Sequence, residues 1–479
     1  MREQRIATVH FGYSGERFFL QLKKQGVKLI FQSIPFFQQK IWQSTPDLAS
    51  NYVQRIEIPS YFLSKVQNRK VNGGGECISS NLYNIFKNDI LNNLQLSHLF
   101  DRGIQSSLSL GDRVALCYSL YVEMIAFLEN QDISIIFYGV YPHHPWDHLF
   151  RLTARALGIK QFFCISSVAA GNYCFINDDS DCPISSKVLS SGQSSKILDE
   201  PINEHARSIW KSQLLSLSPA PWQSSLRHDI QEIDLLSLYG KRINQIANID
   251  FLYIKNCSKS FGQLTPPAIC DQTGIQKIVV FYLHFEPEAA TNPLGGSYWE
   301  QRVAILRLRQ LLPDSWLLVL KDHPQLALSP VNYGKYRGSN FFDSLRGLPN
   351  TLYIDPFQSI TSDSLILASM LSVTLCGTVI LQSLFLKVPV LKLGIFPSLP
   401  GVLDDFPVNL EQKIISLYLE LKKVSYESIL AAQQDYLWPI NPYGEESELI
   451  DNSGSIHETH EKQCALSIVK LARMIDDKQ

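Results

Sequence analysis

Short apolar runs alternate with longer stretches of helical periodicity along most of the chain. Strand–helix–strand order with continuous apolar strands is typical of a doubly wound parallel sheet. In the first half, this pattern predicts strands at 6–11, 27–32, 133–138 and 161–165, and helices at 15–25, 112–129 and 147–157.

The same alternation begins again in the second half. It predicts strands at 277–285, 315–320 and 351–354, a helix at 297–312, and later helical stretches at 410–423, 426–436 and 458–475. We therefore expect an α/β protein with two Rossmann-like, doubly wound domains that face a cleft. In such sheets, ligands bind at the carboxyl ends of the strands.

Changes of composition predict where the domains divide. Residues 1–265 form the predicted N-terminal domain, with a Ser- and Asp-rich surface excursion at 172–200. Pro266 and Pro267 precede a new strand, so residues 266–400 form the second domain. Residues 401–479 are predicted to be a helical tail that packs back on the domains.

The segment 364–386 is uncharged and, at 23 residues, long enough to span a bilayer. Recurrent Ser, Thr and Gln residues and a central Gly377 argue against spanning. We predict instead a helix at 362–370, a strand at 371–375, a helix at 379–387 and a strand at 388–393, as in a buried parallel sheet.

Composition narrows the class of protein. The 479 residues are 45% hydrophobic and 18% charged, which excludes a disordered chain, and the net charge of −2 gives no overall basic excess for nucleic-acid binding. The nine cysteines lack CxxC spacing, which disfavours a zinc site and a disulfide scaffold. Without a signal-peptide pattern, we expect a cytoplasmic protein.

Polar residues follow three predicted strands of the second domain. A histidine at a strand end is more often a hydrogen-bonded loop residue, and a Gly-Thr pair is more often a turn and helix cap. Together on one sheet edge, however, they suit an anionic nucleotide, since a helix start attracts phosphate. The sets are His284, Glu286 and Glu288; Lys321, Asp322, His323 and Pro324; and Gly377 and Thr378.

The first domain offers a second set of candidates. His143, His144 and Asp147 surround Trp146, which could stack on a sugar ring, whereas Asp147 is either catalytic or only a helix N-cap. Glu16 is a general base or a first-turn acid favoured by the helix dipole.

A D-x-D pattern, Asp179 to Asp181, lies in the Ser/Asp-rich excursion and not at a strand end. We interpret it as a solvated acidic loop, and no metal site is predicted.

Three runs carry a resemblance to a known family: HFEPEAATNPLGGSYWEQ at 284–301, WLLVLKDHP at 316–324 and CGTVILQSLFLKVPVLKLG at 376–394. They resemble bacterial capsular and surface-polysaccharide glycosyltransferases, similar to the capsule enzymes that transfer Kdo. A weaker likeness covers PHHPWDHLFRLTARALGI at 142–159. The resemblance implies a GT-B fold with donor binding in the second domain, where His323 and Pro324 would contact the nucleotide phosphate beside Gly377 and Thr378.

The chain departs from this pattern at Gln382, where members of the family usually carry Glu. A carboxylate accepts hydrogen bonds from ribose hydroxyls more strongly than a neutral amide does. One alternative is therefore a catalytically inactive, GT-B-like binding subunit of a polysaccharide assembly complex. Another is a sugar-nucleotide epimerase.

The sequence thus predicts a metal-independent glycosyltransferase of capsular or surface polysaccharide. No cofactor is expected besides a nucleotide-sugar co-substrate, with CMP-linked Kdo or a related acidic sugar as the candidate donor. The acceptor would be a glycan or a lipid-linked glycan, the latter implying peripheral contact with the inner membrane. Lys321 and His323 would bind the donor phosphate, and Asp147 or His144 would deprotonate the acceptor if the reaction inverts. Inversion and retention both remain open.

Overall fold

The structure is a computed structural model. It describes residues 4–9, 22–33, 54–56, 58–72, 78–100, 108–166, 173–177, 277–286, 288–323, 325–326, 334–345, 347–354, 362–425, 428–429, 432, 465, 468–469 and 471–472.

The first sheet has six strands in the order β3-β2-β1-β4-β5-β6. All neighbouring pairs are parallel except β5 and β6, which are antiparallel. The central strands are apolar and buried because helices cover such sheets on both faces. The strands are β1 (Gln4–Val9), β2 (Val27–Ser33), β3 (Gln54–Ile56), β4 (Ile135–Tyr138), β5 (Lys160–Ser166) and β6 (Tyr173–Asn177).

The β6 strand corrects the start of the predicted surface excursion at 172–200. Cys174, Phe175 and Ile176 are buried in this strand and pair with β5 at the sheet edge. The apolar run YCFIN is short and borders a polar stretch, which masked its strand character. The remainder of the excursion, with Asp179 and Asp181, lies outside the described residues.

Helices of the first unit connect its strands. The long helix α4 begins after Ser109, whose hydroxyl accepts a hydrogen bond from Asp112 N at 3.1 Å, and it ends at Asp132, which adopts a left-handed conformation. The helices are α1 (Ile58–Asn72), α2 (Ser80–Ile85), α3 (Leu94–Leu99), α4 (Leu110–Gln131) and α5 (Pro145–Ala156), with a π-helical turn at Phe86–Ile90.

The second sheet also has six strands, in the order β12-β11-β10-β7-β8-β9, and all its pairs are parallel. Alternate residues of its strands belong to two separate buried clusters, so both faces are covered. Its strands are β7 (Ile278–Tyr282), β8 (Leu317–Lys321), β9 (Thr351–Ile354), β10 (Leu371–Thr374), β11 (Val390–Lys392) and β12 (Val402–Leu403).

The uncharged segment 364–386 folds as the predicted succession of helix, strand and helix. Within the described part of the chain, no helix is both long and apolar enough to cross a bilayer. The helices of this unit are α6 (Gln301–Leu311), α7 (Ser339–Leu345), α8 (Ser362–Ala368), α9 (Thr378–Phe385) and α10 (Leu410–Leu421), with a 3-10 turn at Gly296–Tyr298.

The two sheets share one topology. In each, the first strand lies at the centre, the next two follow on one side, and the fourth to sixth follow on the other, which is the order of doubly wound dinucleotide-binding folds. The predicted fold class of two Rossmann-like domains is therefore confirmed.

Compact units run from 1–207 with 435–479 and from 208–434. The described residues between 465 and 472 are fully buried or nearly so, in the same apolar cluster as β1, β2 and β4. The predicted boundary between 265 and 266 lies outside the described residues and stays a prediction.

Gly401 offers a test of packing in the second unit. Its φ of +91° disfavours other residues, and an added Cβ would lie 2.8 Å from Leu384 Cδ2 and 2.8 Å from Leu421 Cδ1. Gly347 also has a positive φ, +83°, but open space around it. We expect Gly401→Ala to destabilise the protein by about 1–3 kcal/mol more than Gly347→Ala, measured by urea denaturation, because only Gly401 adds overpacking to backbone strain. If both variants lost the same free energy of unfolding, the close contact of Gly401 with Leu384 and Leu421 would be contradicted.

Candidate functional site

In the second sheet, β8 and β9 lie on one side of β7, and β10 to β12 lie on the other. The chain therefore leaves β7 and β10 in opposite directions, which makes the gap between these two strands the switch point of the sheet. Ligands of open α/β sheets bind beyond the carboxyl ends of the strands at such a switch point. His284 follows β7, His323 follows β8, and Gly377 and Thr378 follow β10. We call these four residues the switch-point site.

His284 bridges the switch point. Its Nε2 accepts a hydrogen bond from Cys376 N at 3.3 Å and lies 2.9 Å from Thr374 Oγ1 at the end of β10. Its backbone N–H donates to Gln301 Oε1 at 2.8 Å, which ties the loop to the start of α6. The histidine is therefore fixed by groups from both neighbouring connections.

Gly377 allows the close approach between His284 and helix α9. Its φ is +105°, and an added Cβ would lie 3.3 Å from His284 Cε1. As the N-cap of α9, it supplies no side-chain hydrogen bond to the helix start. The first-turn N–H groups of α9, at Thr378 and Val379, are the kind of unpaired donors that bind anions.

Neighbouring loops close around this helix start through their backbones. An added Cβ at Gly394 would lie 2.6 Å from Leu294 O and 2.8 Å from Leu375 O. Ile395 N also donates to Leu294 O at 2.8 Å. The loop after β7 thus packs directly on the loops after β10 and β11.

The loop after β8 is held by the carboxylate of Asp322, which is 1% exposed. Its Oδ1 accepts a hydrogen bond from His323 N at 2.7 Å, and its backbone carbonyl accepts one from Lys321 Nζ at 3.0 Å. His323 Nδ1 accepts from Gln325 N at 3.2 Å. Lys321 is buried, so it contributes positive potential near the edge of the sheet without reaching far into solvent.

Arg337, which sequence reasoning missed, joins these loops from beneath. It is 0% exposed, and its Nε donates to Asp322 Oδ2 at 2.9 Å. It also donates to Glu286 Oε2 and, at 3.0 Å, to His284 O. Tyr353 donates a further hydrogen bond to Asp322 Oδ2. One guanidinium therefore connects the loops after β7 and β8.

The remaining donor-site candidates occupy different environments. Glu286 is buried beside Arg337, whereas Glu288 is exposed. Gln382 lies one helical turn beyond Thr378, and both side chains are partly exposed. The buried Oε1 of Gln382 makes no hydrogen bond with the described residues. Pro324 lies outside the described residues.

Protonation of the two histidines is opposed by their surroundings. Burial, His323 and Arg337 lower the pKa of His284 to about 3, against the opposing effect of the contact with Cys376. Burial, Lys321 and Arg337 lower the pKa of His323 to about 4. Both rings are therefore neutral near pH 7. Burial raises the pKa of the Glu286 carboxyl, opposed by Arg337.

The first-domain candidates follow β4, the strand beside the central β1. His144 is exposed at the start of α5, and its ring lies 4.4 Å from that of His143. Asp147 and Trp146 are buried in the helix, with Trp146 packed edge-on against Phe100 at 5.6 Å. Their predicted roles toward an acceptor stay predictions.

Glu16, the remaining catalytic candidate, lies outside the described residues. The structure thus brings together the three second-domain sets at one sheet edge, with Lys321 and Glu286 buried behind it. It adds Thr374, Gln301 and Arg337 to them. Thr374 directly precedes a predicted strand end and could have been found by the same strand-end argument.

No protein-family model matches the chain, and no curated protein is significantly similar to it. Among solved structures, it is similar to a UDP-GlcNAc 2-epimerase from Neisseria meningitidis bound to UDP-GlcNAc, at 14% identity and a TM-score of 0.21, covering 98% of this chain and 100% of that one.

Two further solved structures are similar at the same level. A glycosyltransferase from Rickettsia africae has 11% identity and a TM-score of 0.21, with 99% of each chain covered. The wall teichoic acid polymerase TagF has 10% identity and a TM-score of 0.23, with 100% of this chain and 90% of that chain covered.

The buried cluster around Arg337 predicts a large difference between two arginine variants. Arg337→Met leaves Asp322 and Glu286 without their buried counter-charge, which costs about 3–5 kcal/mol. Arg302→Met breaks a pair with Glu300 whose side chains are each 33% exposed, which costs less than about 1 kcal/mol. Urea denaturation followed by tryptophan fluorescence measures both. Similar losses for the two variants would contradict the assigned network.

The lowered histidine pKa values predict a pH dependence of stability. The unfolded chain protonates both histidines near pH 6.5, but the folded chain does so only near pH 3 to 4, so the free energy of unfolding falls as pH drops below about 6.5. Above about pH 6.5, the two histidines leave the free energy of unfolding unchanged. His284→Asn should flatten the slope between about pH 6 and 4.5 by up to about 1.4 kcal/mol per pH unit. Urea denaturation at each pH gives the free energy of unfolding. If its slope against pH were the same in His284→Asn as in the wild type, the neutral state of His284 in the folded chain would be refuted.

Proposed function

We propose that the chain is a nucleotide-sugar-dependent glycosyltransferase whose switch-point site binds the phosphate of the donor. The observation that carries this proposal is the contact of His284 with Cys376 N across the switch point, beside the uncapped start of α9. It places hydrogen-bond donors from two loops at the edge where doubly wound sheets hold phosphates.

The charges nearby suit an anion. Lys321 and Arg337 bring positive potential to the loops after β7 and β8, and the carboxylates of Asp322 and Glu286 are bound to Arg337. The N–H groups of α9 add the positive end of a helix dipole. A phosphate at this edge meets donors and no uncompensated carboxylate of the Arg337 cluster.

The neutral Gln382 bears on how the nucleoside is held. Thr378 and Gln382 lie on one face of α9. The Oε1 of Gln382 is buried and makes no hydrogen bond with the described residues, so a ribose hydroxyl can reach it only if the side chain turns outward. An amide makes this bond without the charge assistance that a glutamate would give. We therefore expect nucleotide binding that depends more on the phosphate than on the ribose.

In the proposed reaction, charge develops on the departing nucleotide phosphate as the sugar transfers. Fixed N–H donors aimed at that phosphate lower the barrier, because they need no reorganisation during the reaction. Of the two base candidates that the structure describes in the first domain, His144 is exposed and Asp147 is buried. By the family resemblance, the donor is a CMP-activated acidic sugar such as Kdo, and the acceptor is a capsular or surface polysaccharide.

The substitution at Gln382 favours one competing function, a GT-B-like subunit that binds a nucleotide sugar without transferring it. An epimerase would use the same site and alter the donor with no acceptor present. Product analysis separates these functions. A transferase releases nucleotide only when a glycan acceptor is added, an epimerase interconverts sugars alone, and a binding subunit does neither.

Calorimetric titration of the full chain with CMP-, UDP- and GDP-sugars tests the binding step. We expect one class of nucleotide sugar to bind, and His284→Ala and His323→Ala each to weaken it by about 10- to 100-fold, since each removes a hydrogen bond to a charged group. His98→Ala, on helix α3, is the matched control and should leave affinity unchanged. Failure of every nucleotide sugar to bind, or equal loss in the control, would refute the proposal.

A further inference from the structure

The amino ends of the strands in the first sheet carry a concentration of positive charge. Backbone hydrogen bonds link the segments at this end: Gln4 N donates to Gly26 O, and Ser134 N donates to Arg5 O. Lys160 N in turn donates to Ser134 O. We use the name basic end of the first unit for the six cationic residues in these segments and in the adjoining helix ends, namely Arg5, Lys23, Lys24, Lys28, Arg155 and Lys160.

The fold, and not the order of the sequence, brings these charges together. The chain has a net charge of −2, and the six residues come from three separate stretches of it. Arg5 and Lys28 are partners in register between β1 and β2, and Lys160 begins β5, two strands away from β1. Since neighbouring strands lie about 4.8 Å apart, the strand starts from β2 to β5 span roughly 15 Å. That width is close to the screening length of about 10 Å at 0.1 M salt, so the charges act together.

Negative groups compensate only part of this charge. At this end, the acids among the described residues are Glu129 and Asp132, and Asp132 Oδ2 lies 3.8 Å from Arg5 Nε. The carboxyl ends of three helices also meet here: α4, α5 and the helical turn at 22–24. Each of them is equivalent to about half a negative charge, so an excess of roughly two positive charges remains.

Three of the cations are exposed lysines. Lys23 and Lys24 lie in the last helical turn before β2, and Lys28 lies in the strand itself. None of the three forms an ion pair within the described part of the chain. A lysine ammonium is a strongly hydrated point charge on a flexible stem, so it is attracted to an anionic surface without needing a fixed partner geometry.

The same segments limit the kind of partner that fits. Their described residues include no aromatic side chain, whereas proteins that bind single-stranded nucleic acid stack its bases on aromatic rings. Leu22, Val27 and Ile133 are buried, and Leu157 and Ile159 are only partly exposed, so these apolar side chains are not presented for insertion into a lipid core. These features favour adsorption onto a charged surface.

We infer that the basic end of the first unit binds the surface of a membrane that contains anionic lipids. The lysine side chains are attracted to the acidic headgroups and do not insert between the lipid chains. Each lysine near such a surface changes the affinity by about fivefold. The inference goes beyond the proposed glycosyltransferase and does not depend on it.

Co-sedimentation of the full chain with lipid vesicles tests this inference. Vesicles of phosphatidylcholine are compared with vesicles of equal parts phosphatidylcholine and phosphatidylglycerol. We expect binding to the anionic vesicles alone at about 0.1 M salt, and its loss at about 1 M salt, because the screening length falls from about 10 Å to about 3 Å. Binding to both kinds of vesicle, or to neither, would overturn the inference.

Two double variants locate the attraction on the molecule. Lys24→Gln combined with Lys28→Gln should weaken binding to the anionic vesicles by about 20- to 30-fold. Lys413→Gln combined with Lys423→Gln removes the same charge from exposed lysines in and beside α10 of the second unit, and should leave the binding nearly unchanged. Equal weakening by the two double variants would contradict the assigned surface.

Polyglutamate, a soluble acidic polymer, separates a lipid surface from other polyanions. If it bound through Lys24 and Lys28 while the anionic vesicles did not bind, the partner would be a soluble acidic polymer and the inference would be refuted. Calorimetric titration of the Lys24→Gln, Lys28→Gln variant with nucleotide sugars is a separate readout and should match that of the wild type. Loss of vesicle binding alone therefore leaves the proposed function standing.

Discussion

A fully buried guanidinium organises the carboxyl edge of the second sheet. Arg337 binds the carboxylates of Asp322 and Glu286 and the carbonyl of His284, and its guanidinium carbon lies 4.8 Å from the ring centre of Phe341. A buried charge is tolerated only when its partners are well placed, so the positions of these loops are linked to one another. Through Asp322, the same group also holds the backbone of His323.

This buried network also accounts for the neutral state of the two histidines. Arg337 and Lys321 raise the local potential and oppose protonation of the rings, while their own charges are compensated beneath the surface. The topology supplies the edge itself, because the strand order reverses between β7 and β10, and ligands of open α/β sheets bind beyond the strand ends at such a point.

The central strands of both sheets were predictable because buried parallel strands are continuous apolar runs, as at 278–282 and 371–374. The short edge strands β3, β6 and β12 were missed, since two to five residues in polar surroundings carry little pattern. Strand-end reasoning found His284 and His323. Arg337 could not be found in this way: its partners lie 15 and 51 residues away in sequence, in a stretch without periodicity.

Gly377 and Gly394 have a consequence for how such a site can change. At Gly394 the loops meet through main-chain atoms, because an added Cβ would lie 2.6 Å from Leu294 O and 2.8 Å from Leu375 O, whereas Gly377 borders the ring of His284. Main-chain donors and acceptors are present whatever the residue type, so substitutions alter them only by moving the backbone. Divergence in ligand preference would therefore concentrate at the few side chains that border these loops, such as Thr378 and Gln382, and truncation scanning would overlook much of what holds the ligand.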